Sequence, residues 1–288
     1  MSIQKVELLL IMPISVIIPT YNRSNFLERA VLSVADQTCQ CLELIIVDDG
    51  STDDTGNTVE RLAHRLRFPL KYFYQENKGA AAARNTGIRN ASSEYICFLD
   101  SDDRFVPEKL SFQLNAMQQT ESLISHTREI WFRRERLLNQ KKKHLPRGGH
   151  IFRECLQMCV VGMSTVMVRR SIFDKYGYFD ESLPCCEDYD FWLRVSVNEE
   201  FLLVPRQYTI KDGGRDDQLS VVYRTGMDKY RIRSIVNLLD NNPLTEFQRD
   251  LALKELKRKC EIYGNGCLKH GREEEGNYYL RLPHKYGR

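Results

Sequence analysis

Three short runs of near-continuous apolar character punctuate an otherwise mixed chain: residues 15–19 (SVIIP), 43–47 (ELIIV) and 94–99 (EYICFL). Such runs are the pattern of strands covered on both faces, not of half-exposed ones. Between the first two, Phe26, Leu27, Ala30, Val31 and Val34 recur at helical spacing behind Ser24, a candidate N-cap, so residues 25–37 are predicted to be a helix. Residues 52–66 repeat the amphipathic pattern, residues 72–74 read as a short strand, and the Ala- and Gly-rich residues 77–90 read as a tight loop leading into a helix. Alternating strand and helix predict a parallel α/β sheet with right-handed crossovers. Further on, residues 160–168 read as a strand, 171–176 as a short helix and 177–180 as a turn. From residue 225 the period becomes helical, through Ile232, Ile235, Leu238 and Leu239 before Pro243 and Leu251, Leu256 and Cys260 after it, and the tail is rich in Gly and charge. This helical region, residues 223–288, packs on the preceding domain, closes a cleft or mediates homo-oligomerisation; the sequence leaves the three open.

In open α/β sheets the ligand crevice lies outside the carboxyl ends of the strands. Pro19, Thr20, Tyr21, Asn22 and Arg23 follow the first apolar run, Asp48 to Asp53 the second, and Asp100, Ser101, Asp102 and Asp103 the third. This rim suits a nucleotide. Tyr21 offers an aromatic face for a base, Asp49 a carboxylate that accepts a ring N–H, and Arg23 or Arg84 a cation for phosphate oxygens. Gly50 and Gly79 permit close backbone approach. Ser51 and Asp53 are expected to do no more than build the turn and cap the helix. Three carboxylates within four residues repel one another unless a cation or a hydrogen-bond network compensates. Hard oxygen ligands suit Mg2+ or Mn2+, which commonly share their coordination sphere with substrate phosphates. Asp100 and Asp102 have D-x-D spacing; Asp103 either joins them or caps the turn before the helix that Pro107 and Glu108 open.

Composition narrows the partners. The 288 residues, 42% hydrophobic and 28% charged, suffice for one large domain, and a net charge of +3 gives no argument for a nucleic-acid partner. Nine cysteines lack paired zinc-site spacing, which points to a reduced, cytoplasmic protein, with Cys185 and Cys186 read as small loop residues over a redox or ligand pair. Residues 8–19 are the most apolar stretch, but Pro13 interrupts them and they fall short of the ~20 residues that span a bilayer. Residues 1–12 are expected to be a loosely attached extension. His126, His144, His150, His270 and His284 have no metal-site spacing and read as ordinary polar residues.

The segments SVIIPTYNR (15–23), ELIIVDDGSTDDT (43–55), NKGAAAARNTGI (77–88) and FLDSDD (98–103), in that order, resemble the family 2 glycosyltransferases. The resemblance implies a GT-A fold with a mostly parallel central sheet over residues 13–222, a nucleotide-binding half of about 13–103 and an acceptor-binding half of about 104–222. It implies inverting transfer of a sugar from a nucleotide-sugar, often a UDP-sugar, to a hydroxyl of a glycan or lipid-linked acceptor, in a setting such as bacterial surface glycan assembly. Pro19, Tyr21 and Asp49 would then surround the base, Asp100 would lie near the ribose and metal, and Asp102 would bind the metal directly. The run from Glu187 through Asp188, Tyr189, Asp190 and Phe191 to Trp192 looks like the family's E-D motif before an apolar helix, whose Asp is the general base. A single displacement needs such a carboxylate to take the acceptor proton. Asp188 is therefore the expected base, with Glu187 its neighbour and Asp190 less favoured. The same acidic trio also suits a helix N-terminus, with Phe191, Trp192 and Val195 on the buried face.

One residue departs from the family. Where relatives often bring a histidine to the metal from a later loop, residues 213–220 carry Arg215, which either contacts the diphosphate itself or leaves a ligand to be supplied by Asp216 or Asp217. A basic run, Arg133 to Arg136 with Lys141 to Lys143 and Arg147, is either a solvated face or a surface for anionic glycan or for peripheral contact with the inner face of the plasma membrane. Two other functions share α/β architecture: a nucleotidyltransferase, which would carry a Gly-rich basic loop where PTYNR stands, and a catalytically silent nucleotide-binding relative.

Overall fold

A computed structural model describes residues 11–134, 136–141 and 144–287. Most of the expected N-terminal extension, and Lys142 and Lys143 of the basic run, lie outside the described residues. In chain order the elements are β1 (Ile11–Thr20), α1 (Ser24–Ala35), β2 (Gln40–Asp48), α2 (Thr55–Ala63), β3 (Leu70–Tyr74), α3 (Ala80–Asn90), β4 (Tyr95–Phe98), β5 (Asp103–Phe105), α4 (Lys109–Thr120), β6 (Ile124–Arg133) and β7 (Arg136–Leu138). They continue with α5 (Phe152–Gln157), β8 (Met167–Arg169), α6 (Ser171–Tyr176), α7 (Glu187–Val195), β9 (Leu202–Gly213), α8 (Leu219–Val222), α9 (Met227–Asn241), α10 (Glu246–Lys269) and α11 (Glu273–Arg281).

One sheet runs β3-β2-β1-β4-β8-β6-β9-β5, with β7 paired to β6. Its first half is parallel, as the apolar runs require: Val16, Ile17 and Ile18 of β1 and Leu44 to Val47 of β2 are fully buried. Its second half is largely antiparallel, β6 with β9 being the parallel exception, so the sheet as a whole is mixed. Register places Thr20 opposite Asp48 and Ile17 opposite Phe98, which brings the three strand ends to one rim. Helix α3 lies close on β1, because Gly87 faces Ile17; a methyl group at that glycine would run into the Ile17 Cγ2.

Several sequence expectations change. Ser24 makes no cap bond; the end of α1 is held from the next loop, where Asp53 accepts from the Ser24 amide at 3.1 Å and from the Thr55 amide at 3.1 Å. Residues 160–168 are not one strand. Their apolar side chains fill the core beneath the sheet through a 3-10 turn, Met163–Thr165, and only Met167–Arg169 pairs. Asp103 caps nothing: it opens β5 and is buried. His126 is no ordinary polar residue but is wholly buried, its Nε2 within 2.8 Å of the Arg147 carbonyl, and burial pushes its pKa down to about 4. Cys185 and Cys186 are buried. The C-terminal helices pack on α5 and α7 and share a core with them, Ile232, Leu256 and Cys260 joining Phe191 and Trp192. Among the described residues no helix is long and apolar enough to cross a membrane.

Candidate active site

The rim is built by loops that use their own polar groups first. Asp48 accepts from the Ser51 amide at 2.8 Å and from the Tyr72 hydroxyl at 2.7 Å, which fixes the turn after β2. Asp49, also buried, accepts from Gln75 Nε2 at 2.7 Å and from the amides of Lys78 at 2.9 Å and Gly79 at 2.7 Å. Gly79 has φ +90°, the left-handed region that turns its N–H inward. A carboxylate has about four acceptor sites, so three donors leave Asp49 able to accept one more, as a base N–H requires. The buried Thr20 hydroxyl has no hydrogen-bond partner and is a second vacant polar group on this rim. Tyr21 stands 47% exposed above it, free to stack, and Pro19 is half-buried.

The third strand end leads into a charge network. Arg84 of α3, buried, spans two carboxylates: its Nη2 donates to Asp100 at 2.9 Å and its Nη1 to Glu187, the first residue of α7. Burial works against the guanidinium's charge, but Asp100, Glu187 and Asp188 raise its pKa above the ordinary value. Burial likewise opposes ionisation of Asp100, yet Arg84 and Lys211 outweigh it and hold that carboxyl below its usual range. Glu187 goes the other way. Its side chain is only 7% exposed, against 29% for Asp100, so burial pushes its carboxyl up despite the same arginine. Ser164 ties the turn together, receiving from the Asp100 amide at 3.0 Å and donating to Asp103 at 2.6 Å. Burial pushes the Asp103 carboxyl up to about 7, and Lys211 Nζ lies 3.9 Å from it. Ser101 is buried.

The acidic trio divides by role. Asp190 is buried against Arg194 at 3.0 Å and is structural. Glu187 faces Arg84. Asp188 alone is half-buried at the first turn of α7, where the Cys159 thiol donates to its Oδ2 at 3.2 Å. Burial and then the Asp188 charge hold that thiol protonated. Phe191, Trp192 and Val195 are buried, so one helix supplies both the candidate base and a core face.

Asp102 sits opposite the loop after β9. Its Oδ2 receives Arg215 Nη2, whose Nη1 donates to the Asp212 carbonyl at 2.8 Å. Arg23 pairs with Asp217 on the same loop. Among the described residues no three of His, Cys, Asp and Glu gather as a metal cluster. The hard oxygens of Asp100 and Asp102 do fit Mg2+ or Mn2+ as a minority of its ligands, the rest coming from diphosphate and water. Cys159, Ser164 and Lys211 are the site residues that sequence reasoning missed. Lys211 alone had a signal, standing two residues before the Gly-Gly loop.

A family model for glycosyl transferase family 2 matches residues 15–177, more than half of the chain. A Rickettsia conorii glycosyltransferase is 36% identical over 219 residues, covering 74% of this chain and 33% of its own length. The chain thus spans about a third of that relative. A Bacillus subtilis protein named as a teichuronic acid biosynthesis glycosyltransferase is 35% identical over 160 residues, covering 54% of this chain and 62% of its own. The crystal structure of S. aureus TarS residues 1–349 with UDP-GlcNAc aligns at a TM-score of 0.74 and 20% identity, over 94% of this chain and 79% of that one. A Pyrobaculum calidifontis mannosyltransferase in complex with GDP-Man and Mn2+ aligns at 0.64 and 13% identity, over 95% and 85%. The structural likenesses speak to the fold, and the expected GT-A architecture with C-terminal helices holds. With the four ordered motifs, the family match and this architecture in agreement, the chain belongs to glycosyl transferase family 2.

Proposed function

We propose that the chain transfers a sugar, with inversion, from a UDP-sugar to a hydroxyl of a glycan or lipid-linked acceptor. The observation that carries this reading is the Arg84 bridge, which ties Asp100 at the third strand end to Glu187, the chain neighbour of the candidate base Asp188. In the reaction, Asp188 takes the acceptor proton as the hydroxyl oxygen bonds to the anomeric carbon and the bond to the diphosphate breaks. Thr20, Tyr21 and Asp49 hold the uracil, with Pro19, Gly79 and Ser101 shaping the nucleotide pocket, while Arg84 orients Asp100 toward the ribose. Asp102 and Asp100 would hold a divalent metal, Mn2+ or Mg2+, which when bound neutralises the charge that develops on the leaving diphosphate. Arg23 adds a cation on that side.

The TarS complex with UDP-GlcNAc supports a uridine donor, and the teichuronic acid relative supports a surface-glycan acceptor. A cytoplasmic location is part of the proposal. The organisation into residues 13–222 and 223–288 is part of the proposal. So is a peripheral membrane contact through Arg133, Arg134 and Lys141 around the β6–β7 hairpin, and so is self-association through the C-terminal helices. Incubation with a panel of UDP-sugars and Mn2+ tests the central claim: UDP release in the wild type, lost by about 100-fold or more in Asp188→Asn with UDP affinity retained, is the expected outcome. Full transfer by Asp188→Asn would overturn the base, and no UDP release from any donor would leave the silent-relative reading in its place.

A further inference from the structure

The loop after β9 is held down by charges that the proposed reaction needs elsewhere. Gly214, at φ +91°, turns the chain, and its amide donates to Gln218 Oε1 at 2.8 Å. The turn sends Arg215 back over α1, its guanidinium 4.5 Å from the Phe26 ring centroid and paired to Asp102. Arg29 Nη2 reaches Asp212 of the same segment at 3.1 Å, and Arg23 reaches Asp217. One Arg215 donor is left without a hydrogen bond: its Nε is buried and meets Asp217 Oδ1 only as an ion pair at 3.4 Å. Three arginines, Arg23, Arg29 and Arg215, thus share one small surface whose counter-charges are Asp212 and Asp217 of the loop segment and, for Arg215, Asp102.

We infer that Arg215 gates Asp102: without donor its guanidinium is the counter-ion of that carboxylate and excludes a divalent cation, and a nucleoside diphosphate draws it away. This rests on the proposed metal role of Asp102 and adds the regulation of that site. Guanidinium and metal compete for the same carboxylate oxygens and repel each other, so both do not occupy Asp102 together. A diphosphate offers Arg215 the bidentate, doubly anionic partner that its planar fork prefers. Binding linkage is reciprocal, so donor tightens metal by the factor by which metal tightens donor. The pair is partly solvated, with side chains 20% and 18% exposed, so the coupling falls at about tenfold, not several orders of magnitude.

The test is Mn2+ binding to the whole chain, read from loss of the free-ion EPR signal, in wild type, Arg215→Ala, Arg215→Gln and the double variant Asp102→Asn with Arg215→Ala. Without nucleotide, both Arg215 variants are expected to bind Mn2+ about tenfold more tightly than wild type, and the double variant is expected to lose the gain. With saturating UDP the advantage is expected to vanish. Far-UV circular dichroism checks that each variant is folded, and agreement of the Ala and Gln variants separates the charge from the packing. Equal donor-free affinity in wild type and both Arg215 variants, with UDP-dependent Mn2+ binding intact, overturns the gate and leaves the metal site standing. Absence of Asp102-dependent Mn2+ binding in every protein, with or without UDP, overturns the metal reading and the gate together.

Discussion

Replacing Arg84 with methionine keeps the volume and removes the charge from the centre of the network. Glu187 is then left buried with no cation, and Asp100 loses the closer of its two. Removing one partner of a buried pair costs about 3–5 kcal/mol, a large part of the 5–15 kcal/mol typical of a domain. The loss carries a pH signature. In the wild type Asp100 is held below its unfolded pKa of about 3.9, so its contribution is present above that pH and fades only as pH falls further. In Arg84→Met the cation that opposes burial is gone from both carboxyls, Asp100 losing the larger part of what holds it low and Glu187, already raised, rising further, so the deficit of the variant grows as pH rises. Urea denaturation followed by circular dichroism at pH 8 and pH 5 reads this directly. A deficit of several kcal/mol at pH 8 that shrinks at pH 5, with part recovered in Arg84→Lys, is expected, because lysine restores charge without the fork. A deficit below about 1 kcal/mol, or one equal at both pH values, would refute the bridge as the organising contact.

Three further outcomes follow from the same geometry. His126, neutral in the fold with a pKa of about 4 against about 6.5 unfolded, makes the protein lose up to about 3 kcal/mol as pH falls from 6.5 to 4, and His126→Asn is expected to flatten that slope in chemical denaturation. Gly87→Ala drives a methyl into Ile17 and is expected to cost about 1–3 kcal/mol, seen as a lower Tm; an unchanged Tm would show that α3 shifts freely on β1. Cys159→Ala removes the thiol donor to Asp188 and is expected to lower kcat by about tenfold with KM little changed, Cys159→Ser restoring it; identical kcat in all three proteins would make the contact incidental.

Much of the nucleotide side was legible because strands buried on both faces must be continuously apolar, and the residues that follow them are set on the crevice by topology alone. Asp49, Thr20 and Tyr21 were singled out that way, and the register of β1 and β2 sets them at one rim. The acceptor side resisted for a physical reason. Val161 and Met163 are as apolar as any strand, but they fill the core from an irregular segment, and periodicity does not separate the two when the run is short. Ser164, Lys211 and Cys159 join the site from segments far in sequence from the carboxylates they meet, through contacts that no local pattern encodes. Arg215 was visible as a departure, whereas its partner Asp102 emerged only once the loop was folded back.

The Arg84 bridge also bears on how such a chain can change. A guanidinium shared by Asp100 and Glu187 makes the two halves of the site co-dependent, so a substitution that retunes either carboxylate unsettles the other. New donor or acceptor preferences are therefore expected to accumulate at the exposed periphery, around Tyr21 and the loop of Arg215, while the centre drifts only by paired replacement.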